Sequence, residues 1–383
     1  MMKPQCTSGT KQGDPMAATL FLYVIQACLE TVDLDGVEFQ VPKDAFIGTK
    51  NHGPSGVKVD RHRKWYIREL LSSLYADDAG VIFATRKDLE DGFKILYKHF
   101  ARFGLLIHVG RQVEDTNTGE ITWGKSKTEI MYIPPFGCNY EDANTDIIYA
   151  DDGNGIARFT KKFKYLGFLL TPELTSTAEV DKRLAAAASA FGQLRKTVFG
   201  SKDILYEVKA KIYNALILSL LLYGSECWTL SAKDRHRLQL FHRRCVRIMC
   251  RVTLRMSYKN RISTKELLQR LNLKSMNFYI NKRCLRWVGH LLRMDKHRLP
   301  LQMFFAKLPD KRKRGGQQLS YARRVRQEIK LAYHASTPDI QDEIGDCNDH
   351  VNWVSYAGMF ATSDEEKDEY RLKWRNFISN NNL

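Results

Sequence analysis

The sequence predicts an α+β chain whose strand-rich first part gives way to helices, and three observations predict it. Leu70, Leu71, Leu74 and Tyr75 on one side and Val81-Ile82-Phe83 on the other flank the small, acidic run Ala76-Asp77-Asp78-Ala79-Gly80. That is the composition of a hairpin with carboxylates at its tip and a turn over 76–80. Further strand-like runs follow at Gly104–Val109, Lys127–Ile133 and Phe163–Leu170. From Glu179 onward apolar residues recur at helical spacing instead. The predicted domains are 1–172, 173–260 and 261–383.

Composition bounds the function classes. The chain has 383 residues, 44% hydrophobic and 11% aromatic, ample for packed cores in two or three domains and far from a disordered composition. Its net charge of +17 points to a polyanionic partner, nucleic acid before a membrane surface, because Lys and Arg on phosphates supply most non-specific affinity for nucleic acid. Eight scattered cysteines without a compact framework or signal peptide predict reduced thiols in nucleus or cytoplasm, in a protein neither secreted nor membrane-bound. The apolar stretches Met16–Val32 and Ile212–Leu230 approach spanning length, yet carry Gln26 and Glu30, and Asn214, Ser219 and Glu226. They read as buried helices.

In chain order, Ser8-Gly9-Thr10-Lys11-Gln12-Gly13-Asp14-Pro15 comes first. Gly9 and Gly13 permit backbone conformations closed to other residues, and Pro15 suits a first helical position, so a glycine-bearing loop leads into a helix from Met16. Such a loop lets backbone approach a ligand, or simply joins two elements. Residues 33–63, with Gly36, Pro42, Gly48 and Gly53-Pro54-Ser55-Gly56, read as a loop with at most a short hairpin. At the hairpin beyond, Asp77 and Asp78 are two carboxylates on a rigid strand pair. Magnesium takes one or two such carboxylates together with phosphate oxygens and water; an acidic turn with no metal has the same composition.

Gly9-Thr10-Lys11-Gln12-Gly13-Asp14-Pro15 followed about sixty residues later by Tyr75-Ala76-Asp77-Asp78 resembles, in order and spacing, the palm of reverse transcriptases from non-LTR (LINE-type) retrotransposons. The resemblance implies a partial right-hand polymerase palm over 1–172, an antiparallel sheet with helices. An all-α thumb over 173–260 and a basic C-terminal helical region with a polar tail over 261–383 would follow. It implies an RNA-directed DNA polymerase, a nucleotidyltransferase using Mg²⁺, dNTP, an RNA template and a DNA primer. Carried over, Gln12 and Gly13 lie at the nucleotide and template, and Asp77 is a metal ligand. Asp78 is the second carboxylate, and Tyr75 packs beside the primer end.

After the hairpin, Leu89, Phe93, Leu96 and Phe100 fall at helical spacing, with Gly104 closing the helix. Gly104–Val109 and Lys127–Ile133 then read as a strand pair separated by the polar segment 110–126. The resemblance places a lysine near the triphosphate here, where it can donate a proton or charge to departing pyrophosphate. Lys127 matches best, with Lys125 as its competitor. Tyr165-Leu166-Gly167 falls where the family has its primer-grip hairpin. Gly167 would allow a tight turn beside a sugar-phosphate backbone, or mark a bulge in a buried strand.

Three helices are predicted next. The first runs from Glu179 to Arg195 around Leu184-Ala185-Ala186-Ala187-Ala188, and the second from Ser201 to Tyr223. The third, over Lys233–Arg251, has Leu238, Phe241, Cys245 and Ile248 on one side and His242, Arg243, Arg244, Arg247 and Arg251 elsewhere. A thumb of this kind holds duplex by its backbone. Cys245, Cys250, Cys284 and His290 lack tight zinc-ligand spacing and read as core cysteines with a helical histidine. The run Lys282–Met294 mixes aromatics with arginines, Lys311-Arg312-Lys313-Arg314 is a basic loop, and the chain from Asp339 turns acidic.

In the family a further metal-binding aspartate and the fingers precede the glycine loop. This chain starts within a few residues of that loop, so the sequence-based expectation is a truncated polymerase fragment with no templated synthesis by itself. The alternative is a non-catalytic nucleic-acid-binding remnant that uses the basic thumb and C-terminal helices.

Overall fold

The computed structural model describes residues 15–42, 65–75, 78–114, 121–134, 146–150, 155–292, 294–295, 298–305, 321 and 325. The chain is α+β, and it divides into two compact units. The first takes in residues up to Gln40 and Ile67–Leu174, and the second Val41–Tyr66 and Thr175–Ala306. No helix among the described residues is long and apolar enough to cross a membrane.

The first unit opens with α1 (Pro15–Glu30). Ile25 and Cys28, and Val32 just beyond, are buried, whereas Met16, Leu20 and Tyr23 are exposed. The helix was expected to be wholly buried, but only one stripe of it packs. Strands β1 (Val37–Pro42) and β2 (Trp65–Leu70) pair with each other. Next come β3 (Ser72–Tyr75) and β4 (Asp78–Val81), antiparallel with Tyr75 opposite Asp78. The turn is therefore tighter than the expected 76–80, because Asp78, Ala79 and Gly80 already belong to the returning strand.

Helix α2 (Arg86–Arg102) follows. Thr85 caps it, its hydroxyl accepting from the Asp88 amide while the Asp88 carboxylate accepts from the Thr85 amide, both at 3.1 Å. This reciprocal capping box satisfies two donors that a helix start leaves orphaned. At the other end Gly104 has φ +72°, and the Leu105 amide returns to the Phe100 carbonyl at 3.0 Å, as helix C-termini closed by a left-handed residue do. Phe93 and Leu96 are buried as their spacing predicts. Gly92 is on the same face, where a Cβ would collide with the Phe83 ring; a side chain there would lift the helix off the strand.

The sheet region departs from the sequence reading. Residues 104–109 form no strand, and β7 (Glu129–Ile130) pairs in parallel with β9 (Ile156–Phe159), whose other neighbour is the antiparallel β8 (Ile147–Tyr149). The segment 104–109 touches this sheet through a single antiparallel bridge, Gly110 with Ile156. The polar stretch 110–126 holds its own hairpin, β5 (Gln112–Glu114) with β6 (Ile121–Trp123). The central strand β9 takes this place because Ile156 and Ala157 are fully buried. They join Phe93, Val109, Ile130, Ile148 and Ala150 in the core of the unit. The unit ends with β10 (Phe163–Tyr165) and β11 (Phe168–Leu170), an antiparallel hairpin.

The second unit is helical. Helix α3 (Thr177–Leu194) runs into a π-helical turn over Arg195–Phe199. Helix α4 (Tyr206–Ile212) passes through another, Tyr213–Ile217, into α5 (Leu218–Leu221). Then come α6 (Ala232–Met249), α7 (Leu254–Lys259), α8 (Thr264–Arg270), α9 (Met276–Leu292) and α10 (Leu299–Phe305). Phe191 stacks on Phe199 at 4.4 Å, and Tyr213 stands edge-on to both at 6.3 Å. Such pairs add to the large area each ring removes from water. The starts of α3 and α6 are tied together, since the Thr177 and Ser231 hydroxyls both donate to the Asp234 carboxylate, at 2.8 and 2.7 Å.

One residue of α6 is corrected. His242 does not share the basic face but is buried, 2.8 Å from the Tyr213 hydroxyl through Nδ1 and 3.0 Å from the Lys274 carbonyl through Nε2. A carbonyl only accepts, so Nε2 carries the proton, and Nδ1 accepts from Tyr213 in a neutral ring. Burial, with the Arg243 charge assisting, lowers its pKa to about 4.

Candidate functional site

Three places collect the residues singled out by sequence, and each is built differently. The first is the β3–β4 hairpin. Its register puts Tyr75 and Asp78 opposite each other at the tip, where alternation along β3 turns Tyr75 outward to 65% exposure. Asp78 is exposed as well. Asp77, and Gln12 and Gly13 of the glycine loop, lie outside the described residues. An exposed carboxylate at the end of a rigid strand pair is a hard oxygen donor of the kind Mg²⁺ prefers, so the donor chemistry fits that ion.

The second place is the β10–β11 hairpin. Tyr165 is opposite Phe168, so Leu166 and Gly167 alone make the turn. Their φ angles of 48° and 79° are both positive, the pattern of the type I′ turns that match strand twist in two-residue hairpins. Of the two sequence readings of Gly167, the tight turn is the one realised. The Tyr165 ring lies over Gly80 of β4, its hydroxyl 3.5 Å from the Ser73 carbonyl of β3, and Phe163 stacks alongside at 6.2 Å. Hairpins far apart in sequence therefore touch through an aromatic ring and a position that has no side chain.

Lys127 is placed otherwise. Its backbone amide donates to His108 Nδ1 at 3.2 Å, the neighbouring Thr128 amide donates to the His108 carbonyl at 3.2 Å, and the Lys127 side chain is exposed. Its competitor Lys125 is exposed too. The described contact of Lys127 is thus with the 104–109 segment.

The third place is a cleft of about 540 Å³ in the second unit. Its cations are Arg195 and Lys196 from the π-helical turn after α3, and Arg244, Arg247 and Arg251 from the end of α6 and just beyond; Ile248, Val252 and Leu254 are its apolar wall. No acidic residue lines it. Sequence reading had found the α6 arginines but not Arg195 and Lys196. No periodicity marks a π turn, and only the widened helix end swings those two side chains toward α6.

The cysteines lie elsewhere. Cys245, Cys250 and Cys284 are buried, with Cys250 Sγ 3.7 Å from the Leu267 carbonyl and Cys284 Sγ 3.8 Å from the Tyr321 hydroxyl. Burial pushes the Cys245 thiol up to about 12, which keeps it protonated. His290 is exposed at the end of α9.

No protein-family model matches the chain, and no solved structure matches it. A curated relative that does match is an uncharacterized transposon-derived protein of Caenorhabditis elegans, 24% identical over 132 residues. The match covers 34% of this chain and 47% of the relative. The chain spans about half the length of the curated relative it matches, and to that extent it is similar to a transposon-derived protein.

Proposed function

We propose that this chain is the later palm and the thumb of a LINE-type reverse transcriptase of transposon origin. Its lineage is then RNA-directed DNA polymerase, and its bound partner is an RNA template paired with a DNA primer. The observation that carries the reading is the seating of Tyr165 on the β3–β4 hairpin. It gathers two motifs read separately from sequence, the Tyr75–Asp78 tip and the Tyr165–Gly167 turn, onto one surface. A primer end held by the turn would lie beside the carboxylates.

On this reading Asp77 and Asp78 would hold Mg²⁺, which supplies activation of the primer hydroxyl and neutralises charge on the departing pyrophosphate. The protein's own work is positional. Tyr75 packs against the primer end, the Leu166-Gly167 backbone supports its sugar-phosphate, and Gln12 and Gly13 approach nucleotide and template. Lys127 offers a proton or charge to the leaving group.

A second reading, a nucleic-acid-binding protein without catalysis, is favoured by the cationic cleft, which needs no metal. Both are tested on the purified chain by measuring binding to a primed RNA template over a salt series, together with Mg²⁺-dependent dNTP incorporation. Binding should weaken steeply with salt. Asp77→Ala should leave binding intact and remove any synthesis. Synthesis that survives Asp77→Ala would sink the polymerase reading, and binding indifferent to salt would sink both.

A further inference from the structure

The basic residues of the second unit fall into two classes. Arg183 pairs with Glu179, Lys211 with Glu207 at 2.7 Å, Arg237 with Asp181 and Asp234, and Arg270 with Glu266 at 2.7 Å. The cleft cations Arg195, Lys196, Arg244, Arg247 and Arg251 have no acidic partner among the described residues, and they converge on one another. Like charges gathered without counter-ions repel, and an anion entering between them relieves that repulsion. Guanidinium groups suit phosphate oxygens, which they meet in a planar fork.

The shape of the site narrows the anion. A volume of about 540 Å³ is in the range that takes a drug-sized ligand, so a short run of nucleotides enters it and a double helix does not. Ile248, Val252 and Leu254 offer apolar contact to sugars and bases, where free phosphate would leave them idle. Leu254 opens α7, and Tyr258, one turn further on the same helical face, is 82% exposed. An exposed ring beside a cationic groove is the arrangement on which unpaired bases stack.

We propose that this cleft is a binding site for single-stranded nucleic acid, its phosphates among Arg195, Lys196, Arg244, Arg247 and Arg251, and a base stacked on Tyr258. The site stands on the second unit alone and does not require the first unit's hairpin to be a polymerase centre.

The test uses the full chain and a short fluorescent single-stranded oligonucleotide of mixed sequence. Replacing Arg195, Arg244 and Arg251 together with Gln should lower affinity by about tenfold or more and flatten the slope of log K against log salt by about 2. Arg→Lys at the same three positions should keep most of that slope, which separates lost charge from lost folding. Removing three charges elsewhere on the unit, by Lys211→Gln, Lys265→Gln and Arg270→Gln, should change affinity less than about twofold. Tyr258→Ala should cost about fivefold or more with no change of salt slope. Equal losses in the two glutamine triples would show that net charge alone binds, and would overturn the proposal. So would a blunt duplex, tripolyphosphate or an anionic vesicle that competes as well as the single strand. Asp77→Ala should leave this binding unchanged, so failure of the polymerase reading and failure of the cleft are separate results.

Discussion

The two units bury their apolar residues by different means, and the difference shows where each is strong. The helical unit closes around large rings, with Phe199, Tyr213 and Trp228 all fully buried, and it ties its helix starts together through Asp234. The strand-rich unit has a smaller core of mostly aliphatic residues, spread over several two-stranded ribbons and one three-stranded sheet. Two-stranded ribbons are marginal by themselves and depend on what packs against them. Leu106 and Tyr75 stay largely exposed in that unit. The candidate polymerase hairpin therefore sits on the less cohesive part, and the cationic cleft on the more cohesive one.

The strongest way to break this contrast is to remove its central ring. Phe199→Ala deletes a fully buried side chain stacked on Phe191 and edge-on to Tyr213, and large-to-small changes at such sites cost about 3–5 kcal/mol. Chemical denaturation followed by hydrogen exchange should show protection collapsing across α3, α4 and α6 while the α2 amides change little. Equal loss in both units would mean that they unfold as one and that the contrast is false.

Acid probes the same core through His242. Its folded pKa of about 4 lies below the unfolded value of about 6.5, so the unfolded chain takes up the proton first as pH falls. The contribution is fully present above pH 6.5 and is lost as pH drops toward 4. Linkage puts the loss at roughly 3 kcal/mol for a shift of this size. Denaturant midpoints measured between pH 7 and 4 should fall by that order, and the acid slope should shrink in His242→Gln. A variant as acid-sensitive as the wild type would assign the loss to other groups.

These residues also show what the sequence could reveal. Helices α2, α3 and α6 were legible because Leu89, Phe93 and Leu96, the alanine run, and Leu238 with Cys245 repeat at the helical period. His242 was misplaced because arginines follow it and periodicity carries no information on charge state. Only the Tyr213 hydroxyl and the Lys274 carbonyl, 29 and 32 residues away, make a neutral buried imidazole the better state. Strand pairing was least legible. The parallel partner of Glu129-Ile130 is a β9 that follows a stretch rich in Asp, Asn and Gly, and non-local pairing leaves no mark in local composition. At the candidate site the order of the motifs could be read, but not the seating of Tyr165 over Gly80 or the turn that brings Arg195 and Lys196 to α6.

The finest probe of the contrast is the Leu166-Gly167 turn. Both residues have positive φ, which glycine adopts freely, whereas a leucine there costs about 1 kcal/mol or somewhat more. Asparagine tolerates this conformation far better. Leu166→Asn should therefore stabilise the β10–β11 hairpin by about 0.5–1 kcal/mol, seen as slower exchange of the Tyr165 and Phe168 amides with little change in the helical unit. Gly167→Ala should act in the opposite sense by a similar amount, since it adds the Cβ penalty at the second turn position. If Leu166→Asn weakens the hairpin instead, the leucine side chain is holding the turn through its packing. The strain would then be offset locally by a contact worth more than the backbone cost, and the hairpin would be better supported than its two short strands suggest.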